Sequence, residues 1–169
     1  MNPLVSSLVF AAWAAAVAVC DCRSRRVPNA LVAVGLIAAL AFALVHGNPF
    51  GLTPARALAG AVVGFVALMP FFALGVMGAA DVKVFAVLGA WCGVDALPGL
   101  WVAASLAAGV HAVALLFTMR GHTATSGPQT SHGIVLRGTR GTPYVACLAV
   151  PAIAWLALHT LHLTAGAAR

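Results

Sequence analysis

Apolar residues fall along the chain in long runs separated by short polar breaks. A hydrocarbon core about 30 Å thick takes roughly 17 to 25 apolar residues per helix, and six runs approach that length. They span Leu4 to Cys20, about Pro28 to Val45, about Ala57 to Met77, Val82 to Leu97, Gly99 to Met119 and Tyr144 to about Leu163. The pattern predicts an all-α, polytopic integral membrane protein of about six transmembrane helices, with residues 1–169 forming one membrane-embedded domain. The second and fourth runs are short. Pro28 suits the first turn of the second helix, where its missing N–H costs little. Pro70 predicts a kink in the third, and Gly60 and Gly64 form a GxxxG that allows close helix approach in lipid.

Composition removes the soluble alternatives. Hydrophobic residues make up 63% of the 169 and charged residues only 7%, with a mean hydropathy of +1.05. A net charge of +6 would suggest nucleic acid in a soluble protein; between apolar runs, basic residues meet anionic lipid headgroups instead. Membrane lipid is therefore the expected partner, and nucleic acid is not. Cys20, Cys22, Cys92 and Cys147 lack metal-ligand spacing and read as packing residues. The N-terminal run has no charged flank before it and no cleavage site followed by a polar chain, so it reads as a retained span.

Seven basic residues, Arg23, Arg25, Arg26, Lys83, Arg120, Arg137 and Arg140, lie in the connections after the first, third and fifth runs; Arg56 and Arg169 lie opposite. The positive-inside rule makes the seven-residue side cytoplasmic and both termini external. Trp13, Trp91, Trp101 and Trp155 read as packing or interface anchors, and His111, inside the fifth run, as a neutral packing residue. The polar segment from Arg120 to Pro143, with His122 and His132, reads as a flexible connection.

The acids are three and include no Glu: Asp21, Asp81 and Asp95. Asp21 follows the first run and Asp81 the third. Two crossings separate them, so parity returns both to the cytoplasmic face. Asp95 lies about 21 Å along a helix from Asp81 and belongs to the other side. An acid at the bilayer is a functional candidate by default. Interfacial pairing of Asp21 with Arg23, Arg25 or Arg26, and of Asp81 with Lys83, is an equally simple reading of the spacing.

The local sequences separate these readings. Asp21-Cys22-Arg23-Ser24-Arg25-Arg26-Val27-Pro28-Asn29, Met77-Gly78-Ala79-Ala80-Asp81-Val82-Lys83 and Thr142-Pro143-Tyr144-Val145-Ala146 resemble, in that order, the motifs of the type IV prepilin peptidases. These are the GxGD aspartic peptidases of the bacterial inner membrane. The resemblance covers nearly the whole chain. The length, without a four-cysteine cytoplasmic insert, resembles the short branch that serves tight-adherence (Flp) pili and argues against a methyltransferase function. One position departs: Ala80 stands where the family has Gly, whose lack of a Cβ would open backbone conformations and leave room for a substrate.

The resemblance implies an aspartic endopeptidase with Asp21 and Asp81 as the catalytic pair, and neither cofactor nor metal. It implies prepilin or pseudopilin substrates, cut between a basic leader and an apolar helix at the cytoplasmic face. Two nearby carboxylates do not both ionise cheaply, so such a pair shares a proton. Competing readings are an inactive pilus assembly factor, which Ala80 keeps open, a small membrane transporter, and a protease that cuts within spans.

Overall fold

The computed structural model describes residues 3–24, 26–120 and 144–167. Among these, six α-helices follow one another: α1 (Pro3–Ser24), α2 (Asn29–Leu44), α3 (Pro54–Ala73), α4 (Ala79–Cys92), α5 (Leu97–Arg120) and α6 (Tyr144–Ala167), with one 3-10 turn, Val94–Ala96, before α5. Among the described residues the regular structure is all helical, as expected. Three stretches, Leu4–Ser24, Pro54–Ala73 and Val94–Ala114, are long and apolar enough to cross a membrane; Asn29–Leu44 and Ala146–Leu161 are shorter apolar runs. The segment 121–143, with His122, His132, Arg137, Arg140, Thr142 and Pro143, lies outside the described residues, as do Arg25 and Arg169.

The shortest helix is the centre of the fold. α4 is apolar all round and buries Val82, Val84, Phe85 and every residue from Val87 to Cys92. A helix without a polar face needs neighbours on every side, and α2, α3, α5 and α6 all pack on it. Its tightest partner is α3. A Cβ on Gly60 would fall onto the carbonyl of Gly89, a Cβ on Gly89 onto that of Gly60, and one on Gly64 would stand 2.9 Å from the Phe85 carbonyl oxygen. The GxxxG thus sets backbone against backbone. Such contact supplies the dispersion on which helix association in lipid relies.

The far end of α4 is locked by aromatic rings. Trp91 is fully buried and lies 5.3 Å from Phe10 of α1 and 5.8 Å from Phe42 of α2, centroid to centroid. Its indole N–H donates to the Gly35 carbonyl (3.1 Å), and that of Trp13 to the Leu31 carbonyl (2.9 Å). Two tryptophans from different helices are thus held by successive turns of α2, and a Cβ at Gly35 would collide with the Trp13 indole. Asn48 completes this end: its amide donates to the Trp91 carbonyl (3.2 Å), and its side-chain oxygen accepts from Phe50 N–H (2.8 Å). Trp13 and Trp91 are the packing residues expected; Trp101 and Trp155 are partly exposed on the outside.

Helix ends correct several expected boundaries. The third helix stops at Ala73, short of Met77, because Gly75 takes φ +70° and Gly75 and Val76 donate to the Phe72 and Phe71 carbonyls, closing a Schellman motif. α2 ends the same way, with His46 at φ 52° in the place that glycine usually fills. The fourth helix stops at Cys92 rather than Leu97, since Gly93 at φ +82° breaks it and Leu97 already belongs to α5. Pro28 precedes α2 instead of opening its first turn; its extended ψ of 136° points its carbonyl at the N–H groups of Leu31 and Val32. α3 runs on through Pro70 for three residues. His111 is exposed rather than packed, and Cys22 is likewise exposed, whereas Cys92 is buried and Cys20 and Cys147 are half-buried.

The glycine contact makes a stability prediction. Gly60→Val should lower unfolding stability by about 3 kcal/mol, at the upper end of overpacking penalties, because the obstacle is backbone. Gly109→Ala, which meets nothing within 4 Å, should be neutral or stabilising by up to about 1 kcal/mol. Thermal unfolding of the two variants in detergent reads the difference.

Candidate active site

Asp21 lies within the last turn of α1, one turn before the helix ends at Ser24, rather than after the helix. It is 6% exposed. A carboxylate near a helix C-terminus meets the negative end of that helix's dipole. α6 offsets this, since the Ala146 backbone N–H donates to Asp21 Oδ2 at 3.0 Å. Ala146 is in the first turn of α6, where N–H groups have no intrahelical acceptor. Asp21 therefore caps a helix 125 residues away in sequence.

Asp81 is placed by its own helix. It occupies the first turn of α4, ahead of the apolar run, and its Oδ2 accepts the Gly78 N–H at 3.0 Å while the Gly78 carbonyl accepts the Asp81 N–H at 3.2 Å. Gly78 has an ordinary negative φ, so its glycine is explained by space: a Cβ there would stand 3.1 Å from Asp81 Oδ2. Ala80, by contrast, has plain helical backbone, and its methyl packs against the core. No backbone conformation reserved for glycine is needed at the position where the motif departs.

The two acids share one end of the bundle and feel each other. Partial burial pushes the Asp81 carboxyl up to about 6, the Gly78 N–H pulls it down, and the Asp21 carboxylate pushes it up again. Lys83 does not turn to Asp81. Half-buried, it donates from Nζ to Asn29 Oδ1 at 3.0 Å, joining the first turn of α2 to α4. That bond replaces the ion pair with Asp81 that spacing suggests for Lys83. Asp95 stands apart, exposed in the 3-10 turn beyond Cys92, past the far end of α4, whose length from Asp81 to Cys92 is about 16 Å.

The order of these parts, an acid ending α1, a Pro-Asn opening α2, and a Gly-capped Asp with its Lys opening α4, is now set in space as well as in sequence. Residues 8–113 match the model of the type IV leader peptidase family. The chain belongs to that family. No curated protein and no solved structure matches it. The matched span of this leader peptidase family member contains Asp21, Asn29, Gly78, Asp81 and Lys83 and ends before α6. Three participants carried no assigned role in the sequence. Asn29 had a signal, a polar residue opening an apolar helix; Gly78 had one in its spacing from Asp81. Ala146 is marked as the end of the Thr142–Ala146 motif, but its bond to Asp21 is not, because it contributes a backbone N–H, which every residue but proline possesses.

The electrostatics can be read directly, since three aspartates and no Glu give three side-chain carboxyl signals. Carbon-13 carboxyl NMR across pH should find Asp81 titrating near 6. Asp21→Asn should lower that midpoint by removing a like charge, and Gly78→Ala should raise it by weakening the N–H bond that favours the charged form.

Proposed function

We propose that this protein is a prepilin leader peptidase of the aspartic type, with Asp21 and Asp81 as its catalytic residues. The observation that carries the reading is the coupling of these two acids at one end of the bundle, each with one oxygen held by an N–H at the start of a helix. Residues 1–169 act as a single membrane-embedded domain. The close succession of the first two helices, with no four-cysteine insert between them, supports the tight-adherence (Flp) branch, and the charge of the connections supports a multi-pass protein of the bacterial inner membrane with its site on the cytoplasmic side. The substrates are prepilins or pseudopilins, whose basic leader stays in water while the adjoining helix is in lipid.

The chemistry follows from one proton shared by two carboxyls. The ionised member takes a proton from water as the water oxygen attacks the scissile carbonyl carbon. The protonated member gives its proton to the carbonyl oxygen, and a tetrahedral intermediate results. As that intermediate collapses, the proton gained from water passes to the departing amine, the other carboxylate takes a proton back from a hydroxyl of the intermediate, and the C–N bond breaks to leave a carboxylic acid and one proton on the pair. The proton belongs to the pair rather than to one residue. Holding Oδ2 of each acid on a backbone N–H leaves Oδ1 for water and substrate, and fixes both side chains before substrate arrives.

The test is leader release, followed by mass, from a prepilin mixed with the protein in lipid vesicles. Asp21→Asn and Asp81→Asn should each lose about 10²- to 10⁴-fold in rate, the usual contribution of a positioned acid or base, while Asp95→Asn keeps its activity. Equal cleavage by wild type and both site variants would sink the assignment. The shared proton is lost as pH rises through about 6, so the rate should decline above that pH and approach a tenfold loss per unit.

A further inference from the structure

An apolar cleft lies open on the outside of the bundle, and the inference drawn from it rests on the peptidase reading above. α3 and α5 both pack on α4 but not along one another, which leaves a lateral cleft of about 320 Å³ between them. Its floor is Leu68, Phe85 and Leu97, each at most 4% exposed, and its rim is formed by half-exposed Val63, Phe71 and Trp101. The Phe71 and Trp101 rings meet across it at 6.2 Å. Every residue that lines it is apolar.

We propose that this cleft docks the apolar helix of the prepilin and so presents the leader junction to Asp21 and Asp81. Register supports this. Gly60 lies against Gly89 and Gly64 against Phe85, so α3 and α4 run antiparallel with four-residue steps matched. One more step sets Leu68, in the floor of the cleft, level with Asp81, and Phe71 reaches the level of Gly78. The α4 residue in the floor, Phe85, is four positions after Asp81 and so shares its helix face. A helix lying in the cleft therefore leaves the bilayer at the level of Asp81. The cleft holds a row of side chains from one helix face, the mode by which apolar helices dock in grooves, and the change from polar leader to apolar helix fixes how far the substrate slides. A lipid acyl chain is the competing occupant.

Two measurements decide between them. A prepilin carrying a photoreactive benzophenone in its apolar helix is irradiated with the full-length protein in phosphatidylglycerol-containing vesicles, and the attachment sites are mapped by mass. Attachment should fall on Val63–Phe71 and Leu97–Trp101. In parallel, Ala67→Trp, which fills the cleft, should reduce cleavage at least tenfold, mainly through KM. Val66→Trp, on an outward-facing residue of the same helix that does not line the cleft, should leave cleavage unchanged. Cleavage by wild type with attachment elsewhere, with attachment to lipid alone, or with equal rates for the two tryptophan variants overturns the groove and spares the peptidase reading. Attachment in the cleft without any cleavage supports the groove and refutes the peptidase reading.

Discussion

The contact of the Gly60 and Gly89 backbones is the constraint on which the rest of this molecule depends. Lipid offers no hydrophobic drive for one helix to find another, so the association of α3 with α4 relies on close dispersion contact, and only two glycines facing each other allow it. That contact fixes more than affinity. By matching α3 and α4 turn for turn, it sets how deep the head of α4 stands, and Asp81 stands at that head. Between α3 and α5, both packed on α4, stands the apolar cleft floored by Leu68, Phe85 and Leu97.

The two ends of α4 are built on opposite principles. At the Trp91 end, rings and indole N–H bonds to α2 make a rigid lock. At the Asp81 end the connections are polar and use the starts of two other helices and of α4 itself: α6 to Asp21, α2 to Lys83, and the Gly78 cap to Asp81. Each of these bonds uses the start of a helix, where backbone donors or a flanking side chain are free to take part. Carboxylates held this way need no cationic partner, and Lys83 is accordingly engaged with an amide oxygen. A site in which an ammonium neutralised either acid would have less tendency to share a proton.

Much of this was legible in the sequence, for reasons specific to particular residues. The apolar runs gave six helices because their length in lipid leaves few alternatives, and the GxxxG of α3 announced a close contact, although not its partner on α4. Asp21 and Asp81 were marked by parity and by motif. Boundaries failed where backbone conformation outweighs hydropathy. Met77 and Leu97 continue apolar runs, yet Gly75 and Gly93 adopt positive φ and end the helices before them. Spacing along one helix says nothing about Asn29 on another, so it pairs Lys83 with the wrong group, and the motif that ends at Ala146 marks the segment without its bond to Asp21, because that contribution is a main-chain N–H. His46 in a left-handed helix end shows the same limit, since any residue can be held there if the cap bonds form.

The alanine that departs from the family motif illustrates how a residue's meaning depends on which side of a helix start it falls. Gly78 precedes the first turn of α4 and faces the Asp81 carboxylate, so a methyl group there would press on the acid. Ala80 is already helical, two residues further on, and directs its methyl to the core, where alanine is the best helix former and adds contact. The glycine kept in this chain is thus the one whose space the carboxylate uses, and the glycine replaced is one that a helical backbone does not require. The Asp81 carboxylate calls for retention of the first and is compatible with loss of the second, so the helical backbone at Ala80 gives no conformational ground for reading the chain as an inactive relative.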